Sequence, residues 1–138
     1  MNKIIDIGPA PLVVNIEQDT IENTNYRTTL WTGANLQVTL MSIESGNDIG
    51  LEVHEMNDQF LRIEQGTATV SMGPNADHLQ IWTASVSDAV IVPAGTWHNL
   101  ASVGDVPLKV YSIYAPSKHP HGTVHITKAD GELTEVIE

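Results

Sequence analysis

Apolar and β-branched residues recur along this chain in short runs that are separated by turn residues. Leu36, Val38 and Leu40 alternate with polar neighbours, and residues 27–32 are rich in β-branched and aromatic side chains up to Gly33. A period of two is typical of β-strands, because successive side chains point to opposite faces. About nine such runs follow one another, at residues 27–32, 36–43, 49–53, 58–65, 67–72, 78–83, 89–92, 97–103 and 108–114. Turns recurring roughly every 8–12 residues predict an all-β barrel or sandwich.

The two ends of the chain carry weaker patterns. Residues 8–11 read Gly-Pro-Ala-Pro, which excludes regular structure there, because proline lacks a backbone donor and restricts its predecessor. We therefore predict an N-terminal arm or edge strand over residues 1–26 and a barrel over residues 27–126. Residues 127–138 form a short acidic tail that predicts a helical turn at most. The length of 138 residues is that of a single domain.

Composition and charge narrow the classes of function. The formal net charge is −11, from 17 acidic and 6 basic residues without a basic cluster. This balance disfavours nucleic acid and anionic membrane surfaces as partners. Cysteine is absent, which excludes disulfides, thiolate metal sites and a cysteine nucleophile. With no long apolar run and no signal-peptide core, we expect a cytoplasmic protein that binds a small molecule.

Two segments resemble the conserved motifs of the cupin superfamily. Pro93-Ala94-Gly95-Thr96-Trp97-His98, preceded by Asp88, resembles the second motif, in which Asp and Pro-x-Gly-x-x-His recur. Residues 54–66 resemble the first motif, with Gln59 in place of its Glu and Met56 in place of its second His. The His-Pro-His-Gly-Thr-Val-His segment at residues 119–125 is similar to that of small single-domain bacterial cupins.

The resemblance covers roughly residues 27–126 and implies a cupin jelly-roll β-barrel. In this superfamily the motif histidines and Glu commonly hold one divalent metal, and dimers are common, so we expect a homodimer. Activities across the superfamily include dioxygenases, isomerases, epimerases, decarboxylases and plain ligand binding. The fold alone therefore does not determine the reaction.

The candidate metal ligands are the residues that stand at or near motif positions. His54 and His98 would be neutral nitrogen ligands that converge near one end of the barrel. Gln59 shares a face with the apolar residues of its strand and would offer an amide oxygen. Asp58 and His125 are further candidate ligands. The motifs do not distinguish Fe, Mn, Zn or Ni as the divalent ion.

Other polar residues are candidates for proton transfer or for solvent-exposed roles. Tyr111 and Tyr114 lie on a late strand, and one or both are expected to line the cavity, with His125 folding over its mouth as a third catalytic candidate. Glu52 is expected to be a solvated charge. Two interpretations of the C-terminal histidines stay open, a solvated loop or a segment that contributes to the site.

Three functional hypotheses follow from these residues. The first is a metal-assisted enzyme of the dioxygenase or isomerase type that acts on a small polar metabolite. The second is a non-catalytic metabolite-binding cupin, which the weaker amide donor of Gln59 favours. The third is a metal-free isomerase that uses His54 or His98 for acid–base chemistry.

Overall fold

Nine strands in two antiparallel sheets and two helices make up the described part of the molecule. The computed structural model describes residues 5–137, with side chains through residue 133. The strands are β1 (Arg27–Thr32), β2 (Gln37–Ile43), β3 (Asp58–Gln65), β4 (Ala68–Asn75), β5 (His78–Ala84), β6 (Ala89–Val92), β7 (Trp97–Ser102), β8 (Leu108–Ala115) and β9 (Val124–His125). The larger sheet has the order β6-β3-β8-β2-β1-β9 and the smaller one β5-β4-β7. The prediction of an all-β fold is confirmed.

Two strands differ from the prediction. Residues 49–53 form no strand and contain one isolated bridge, which pairs Glu52 with His98. Gly50 explains the interruption, because its φ of +83° lies in the left-handed region, which a continuous strand does not use. The short strand β9 pairs with β1 and was not predicted, since two residues are too few to show a period.

The two helices lie outside the predicted strands. Helix α1 (Ile16–Glu22) begins after Asn15, whose side-chain oxygen accepts the N–H of Gln18 at 3.1 Å. It packs against β8, β3 and β2 on the outer face of the larger sheet, in a region where an arm or edge strand was expected. Helix α2 (Lys128–Ile137) is longer than the single turn expected of the tail. No helix within residues 5–137 is long and apolar enough to cross a membrane.

The inner face of the larger sheet has an apolar half and a polar half. Ile43 pairs with Leu108 and Met41 with Val110, and these buried side chains form part of the hydrophobic core. Each fully buried aliphatic side chain of this kind contributes about 1.5–3 kcal/mol to stability. Further along the same strands the register brings polar residues face to face, with Thr39 opposite Ser112 and Gln37 and Gln59 on either side of Tyr114. The polar half is where a site can form.

A carboxylate clamp joins the N-terminal segment to the loop before β9. Asp6 is buried and accepts hydrogen bonds from the backbone N–H groups of Gly8, Thr32 and Gly122, each at 3.0 Å. The Thr32 hydroxyl donates to it as well, at 2.5 Å, and His121 lies 3.3 Å away. Burial alone would raise the pKa of Asp6, but these hydrogen bonds and His121 outweigh it and lower the pKa below its ordinary value of 3.8.

We predict that Asp6→Asn lowers the free energy of unfolding at neutral pH by about 1.5–3 kcal/mol, because the new NH₂ group faces donors instead of accepting from them. A depressed pKa stabilises the fold above pH 3.8 and loses that contribution as the pH falls through the folded-state value. The difference between wild type and variant, measured by urea unfolding, should therefore shrink in acid. Asp105→Asn in an exposed turn is the control, and an equal effect of both substitutions would contradict the clamp.

Candidate metal centre

Two segments that are far apart in sequence are held together by a reciprocal backbone bridge. The N–H of Glu52 donates to the carbonyl of His98 at 3.0 Å, and the N–H of His98 donates to the carbonyl of Glu52 at 2.8 Å. A third bond joins the N–H of Gly95 to the carbonyl of His54 at 2.9 Å. Gly95 has a φ of +80°, so the turn before β7 requires the conformation that glycine adopts without strain. The bridge sets Glu52, His54 and His98 side by side.

The three side chains direct their donor atoms at one another. Glu52 Oε1 lies 3.3 Å from His54 Nε2 and 3.5 Å from His98 Nε2, and all three donor atoms lie within 4.8 Å of one another. Donors at about 2.0–2.2 Å from a tetrahedral metal are about 3.4 Å apart. The spacing is therefore that of a metal site with little rearrangement.

The protonation of His98 follows from its neighbour. Its Nδ1 lies 3.0 Å from the carbonyl oxygen of Thr96, which can only accept, so Nδ1 carries the proton. In the neutral ring Nε2 then presents a lone pair toward Glu52. The Nε2 atoms of His54 and His98 are buried and have no hydrogen-bond partner of good geometry among the described residues. Buried lone pairs without a partner are costly, and a bound cation would satisfy them. The residues present fit a divalent metal.

The charge of Glu52 suits the same purpose. Its side chain is 22% exposed, and burial alone would raise its pKa. When the rings of His54 and His98 carry protons toward Glu52, their hydrogen bonds and positive charge outweigh burial and lower the pKa of Glu52 to about 2. When a cation takes the place of those protons, it favours the ionised carboxylate in the same way, and that is the form that ligates a metal.

Glu52 was expected to be a solvated charge, and that expectation is wrong. The signal that could have found it is alternation, because Glu52 and His54 are two residues apart and share a face in an extended segment. The first motif places its Glu after the histidine, whereas Glu52, the carboxylate of this cluster, precedes His54. The three-residue set Glu52, His54 and His98 can hold a metal ion.

The two oxygen ligands predicted from the motif lie in different environments. Gln59 is buried on the inner face, donates from Nε2 to Ser112 Oγ at 2.9 Å, and has a buried Oε1 without a partner among the described residues. Its ligation stays a prediction. Asp58 is exposed and accepts the N–H of Ala94 at 2.9 Å, so its carboxylate is engaged at the surface. Its ligation also stays a prediction.

A row of rings leads from the centre into the polar half of the barrel. The Tyr114 ring centroid lies 5.7 Å from that of His54 and 5.4 Å from that of His119. His125 follows, 6.3 Å from His119. His119 and His125 are both buried, so the C-terminal segment contributes to the interior and is not a solvated loop.

The remaining candidates lie elsewhere. His121 is half exposed at the rim, where its Nε2 lies 2.8 Å from the carbonyl oxygen of Gly8. Tyr111 is half-buried and contacts Phe60 with a ring separation of 6.4 Å, on the face of the sheet opposite to Tyr114. A catalytic role for Tyr111, Tyr114 or His125 stays a prediction.

Comparison with known proteins shows the family to which the chain belongs. The cupin domain family profile matches residues 39–114, and the chain belongs to that family. It is 57% identical over 131 residues to the uncharacterized protein YrkC of Bacillus subtilis, covering 94% of this chain and 70% of YrkC. It is also 38% identical over 117 residues to the uncharacterized protein L612 of Acanthamoeba polyphaga mimivirus, covering 84% of this chain and 72% of L612.

Solved structures agree with this assignment. The crystal structure of BH2720 from Bacillus halodurans matches with a TM-score of 0.93 at 54% identity, covering 94% of this chain and 99% of that one. Oxalate decarboxylase of Bacillus subtilis, described with Mn(II) centres, matches with a TM-score of 0.57 over 62% of this chain and 23% of its own. At 20% identity this second likeness shows the fold alone.

We predict that in metal-free protein at neutral to mildly alkaline pH His98 is protonated at Nδ1 and not at Nε2. The reason is the Thr96 carbonyl, which accepts only from Nδ1. Long-range ¹H–¹⁵N spectra measure the tautomer directly, and added Zn²⁺ should shift the Nε2 resonance while the Nδ1 proton is retained. A ring protonated at Nε2 would contradict the arrangement described.

Proposed function

We propose that this chain is a metal-dependent cupin enzyme that acts on a small polar metabolite, with Glu52, His54 and His98 as its metal ligands. The observation that carries the proposal is the pair of buried imidazole Nε2 atoms that lie beside the Glu52 carboxyl group without a hydrogen-bond partner among the described residues. Three protein ligands leave coordination positions open, as a catalytic metal site requires. Gln59 is a further oxygen donor in the same barrel.

The donor set indicates the kind of chemistry. Two His and one carboxylate with open positions are the ligands of non-haem Fe(II) oxygenases, which favours a dioxygenase over an isomerase. Mn is also compatible, and the structurally similar oxalate decarboxylase is described with Mn(II). When bound, the metal supplies Lewis acidity toward a carbonyl or carboxylate oxygen of the substrate.

The protein side chains around the centre would orient the substrate and move protons. Burial, followed by the charge of Arg27, lowers the pKa of His119 to about 2, so this ring is neutral at physiological pH and cannot act as an acid there. Tyr114, between His54 and His119, is the better proton donor among the three catalytic candidates. Tyr111 faces away from the centre.

A second function is favoured by one distance. Glu52 Oε1 and His54 Nε2 are 3.3 Å apart, so a proton shared between them would give a carboxylate–imidazole pair for metal-free acid–base catalysis. An isomerase of this type would keep a bell-shaped pH–rate profile after complete metal removal. A metal-dependent enzyme would lose its activity to chelation.

We predict that purified protein takes up one divalent ion per chain and that Glu52→Gln and His98→Ala each weaken this uptake by at least about 100-fold, because the first replaces an anionic ligand by a weaker neutral one and the second removes a ligand. Elemental analysis and calorimetric titration with Mn²⁺, anaerobic Fe²⁺, Zn²⁺ and Ni²⁺ are the measurements.

The matched control is Glu55→Gln, which removes the same charge from an exposed position of the same loop and should bind as wild type. Stoichiometric uptake of none of the four ions by wild type would overturn the proposal. Equal weakening by Glu55→Gln would show that net charge, and not ligation, accounts for the affinity.

A further inference from the structure

A buried arginine lies at the far end of the ring row, beside His125. Arg27, on the strand β1, is 4% exposed, and its Nη1 lies 2.9 Å from His125 Nδ1. Its Nε has no hydrogen-bond partner within the described residues, and Arg27 belongs to none of the ion pairs that those residues form. Among the described residues the guanidinium is thus a buried cation that forms no ion pair, although the carboxylates of Glu52 and Glu132 line the same small cavity.

This arrangement is unusual on physical grounds. Guanidinium is always charged in proteins, and a buried charge is costly unless it is paired. The ring of Tyr26, 5.3 Å from the guanidinium carbon, offsets part of this cost. The other arginine of the chain, Arg62, is half-exposed and has an ordinary ion pair with Glu64 at 3.0 Å. Among the described residues Arg27 has no such partner.

A small cavity joins Arg27 to the metal centre. Arg27, Glu52 and Lys128 all line it, and its volume is about 10 Å³. The cavity holds no more than about one water molecule. A guanidinium, a metal ligand and a second cation therefore share one enclosed space.

Helix α2 closes that space. Gly131 lies so close that a Cβ added to it would be 3.3 Å from His125 Nδ1 and 3.4 Å from Arg27 Nη1. Glu132 lines the cavity beside it. Helix α2 therefore covers the arginine, and a ligand larger than water needs a rearrangement of the residues that line this cavity.

We propose that Arg27 is the carboxylate-binding residue of the site, and that the substrate is a small carboxylic acid whose carboxylate pairs with Arg27 while its other polar end faces Glu52, His54 and His98. Arginine binds carboxylates through two parallel N–H···O bonds, and the unpartnered Nε is one donor of that fork. His119, whose buried Nε2 also lacks a partner among the described residues, is a second polar contact for the anion. The part of this inference that concerns the substrate end facing the metal rests on the proposed function. The part that concerns the carboxylate rests on Arg27 alone.

The test is binding of formate, acetate and malonate, measured by calorimetry on the full chain with and without Mn²⁺. We expect wild type to bind at least one of these anions, with malonamide, the neutral analogue of malonate, not bound. Arg27→Gln should weaken anion binding about 10- to 100-fold, since it removes a charged hydrogen-bond donor pair. Arg27→Lys should restore part of it, and Arg62→Gln, which removes a guanidinium from the outer face, should bind as wild type.

A measurement on wild type covers the case in which Arg27→Gln does not fold. The Arg27 Nε–H resonance should shift on addition of malonate and not on addition of malonamide. Absence of binding by all three anions, or binding that is equal in Arg27→Gln, or an unmoved Nε–H resonance would each overturn the proposal. Metal uptake is measured separately: anion binding that depends on Arg27 in a protein that takes up no metal would sink the metal proposal and leave this one standing.

Discussion

The reciprocal backbone bridge between Glu52 and His98 is the interaction on which the centre depends. Residues 49–53 form no strand, so this bridge, the adjoining bond from Gly95 to His54 and the bond from the Ile49 N–H to the Leu100 carbonyl hold that segment against β7. The bridge brings the carboxylate of Glu52 and the imidazoles of His54 and His98 to distances typical of metal ligands. It does so although Glu52 lies in neither a helix nor a continuous strand. Backbone hydrogen bonds have a preferred direction, so they fix the positions of the side chains on the paired segments. A metal site needs this precision, because its ligand atoms must be placed to within about 0.5 Å.

The interior of the barrel contains both an apolar core and a group of buried polar residues. Aliphatic residues of β2, β3 and β8 fill one half and supply the apolar burial on which the fold relies. The polar residues Gln59, His119, His125 and Arg27 are buried as well. Several of their polar atoms have no partner among the described residues, which is a cost that a structural core would avoid and a binding cavity accepts. Gln59 shares β3 with core residues, and Arg27 and His125 lie on β1 and β9 of the same sheet, so one sheet serves both purposes.

The strand pattern and the second motif were predictable from the sequence, because a period of two and Pro-x-Gly-x-x-His are local signals. The helices were less accessible, since α1 has only two turns and its cap at Asn15 is a weak signal. Within the site, His54 and His98 were found and Glu52 was missed, because a single Glu in an acidic chain is most often solvated. Arg27 and His119 depend on contacts between residues about one hundred positions apart, and no local pattern encodes them.

The clamp at Asp6 has a consequence for the order in which the molecule assembles. Its bond to Gly122 spans 116 residues, and the Arg27–His125 contact spans 98. Contacts of such separation require large loops to close before they contribute, and β topologies dominated by them fold in milliseconds to seconds. The segment that carries His119 and His125 therefore docks onto a barrel whose nearer contacts can already have formed. Loop-closure entropy favours completion of the cavity after those nearer contacts, and a nascent chain that lacks its last twenty residues has Glu52, His54 and His98 but neither of these two histidines.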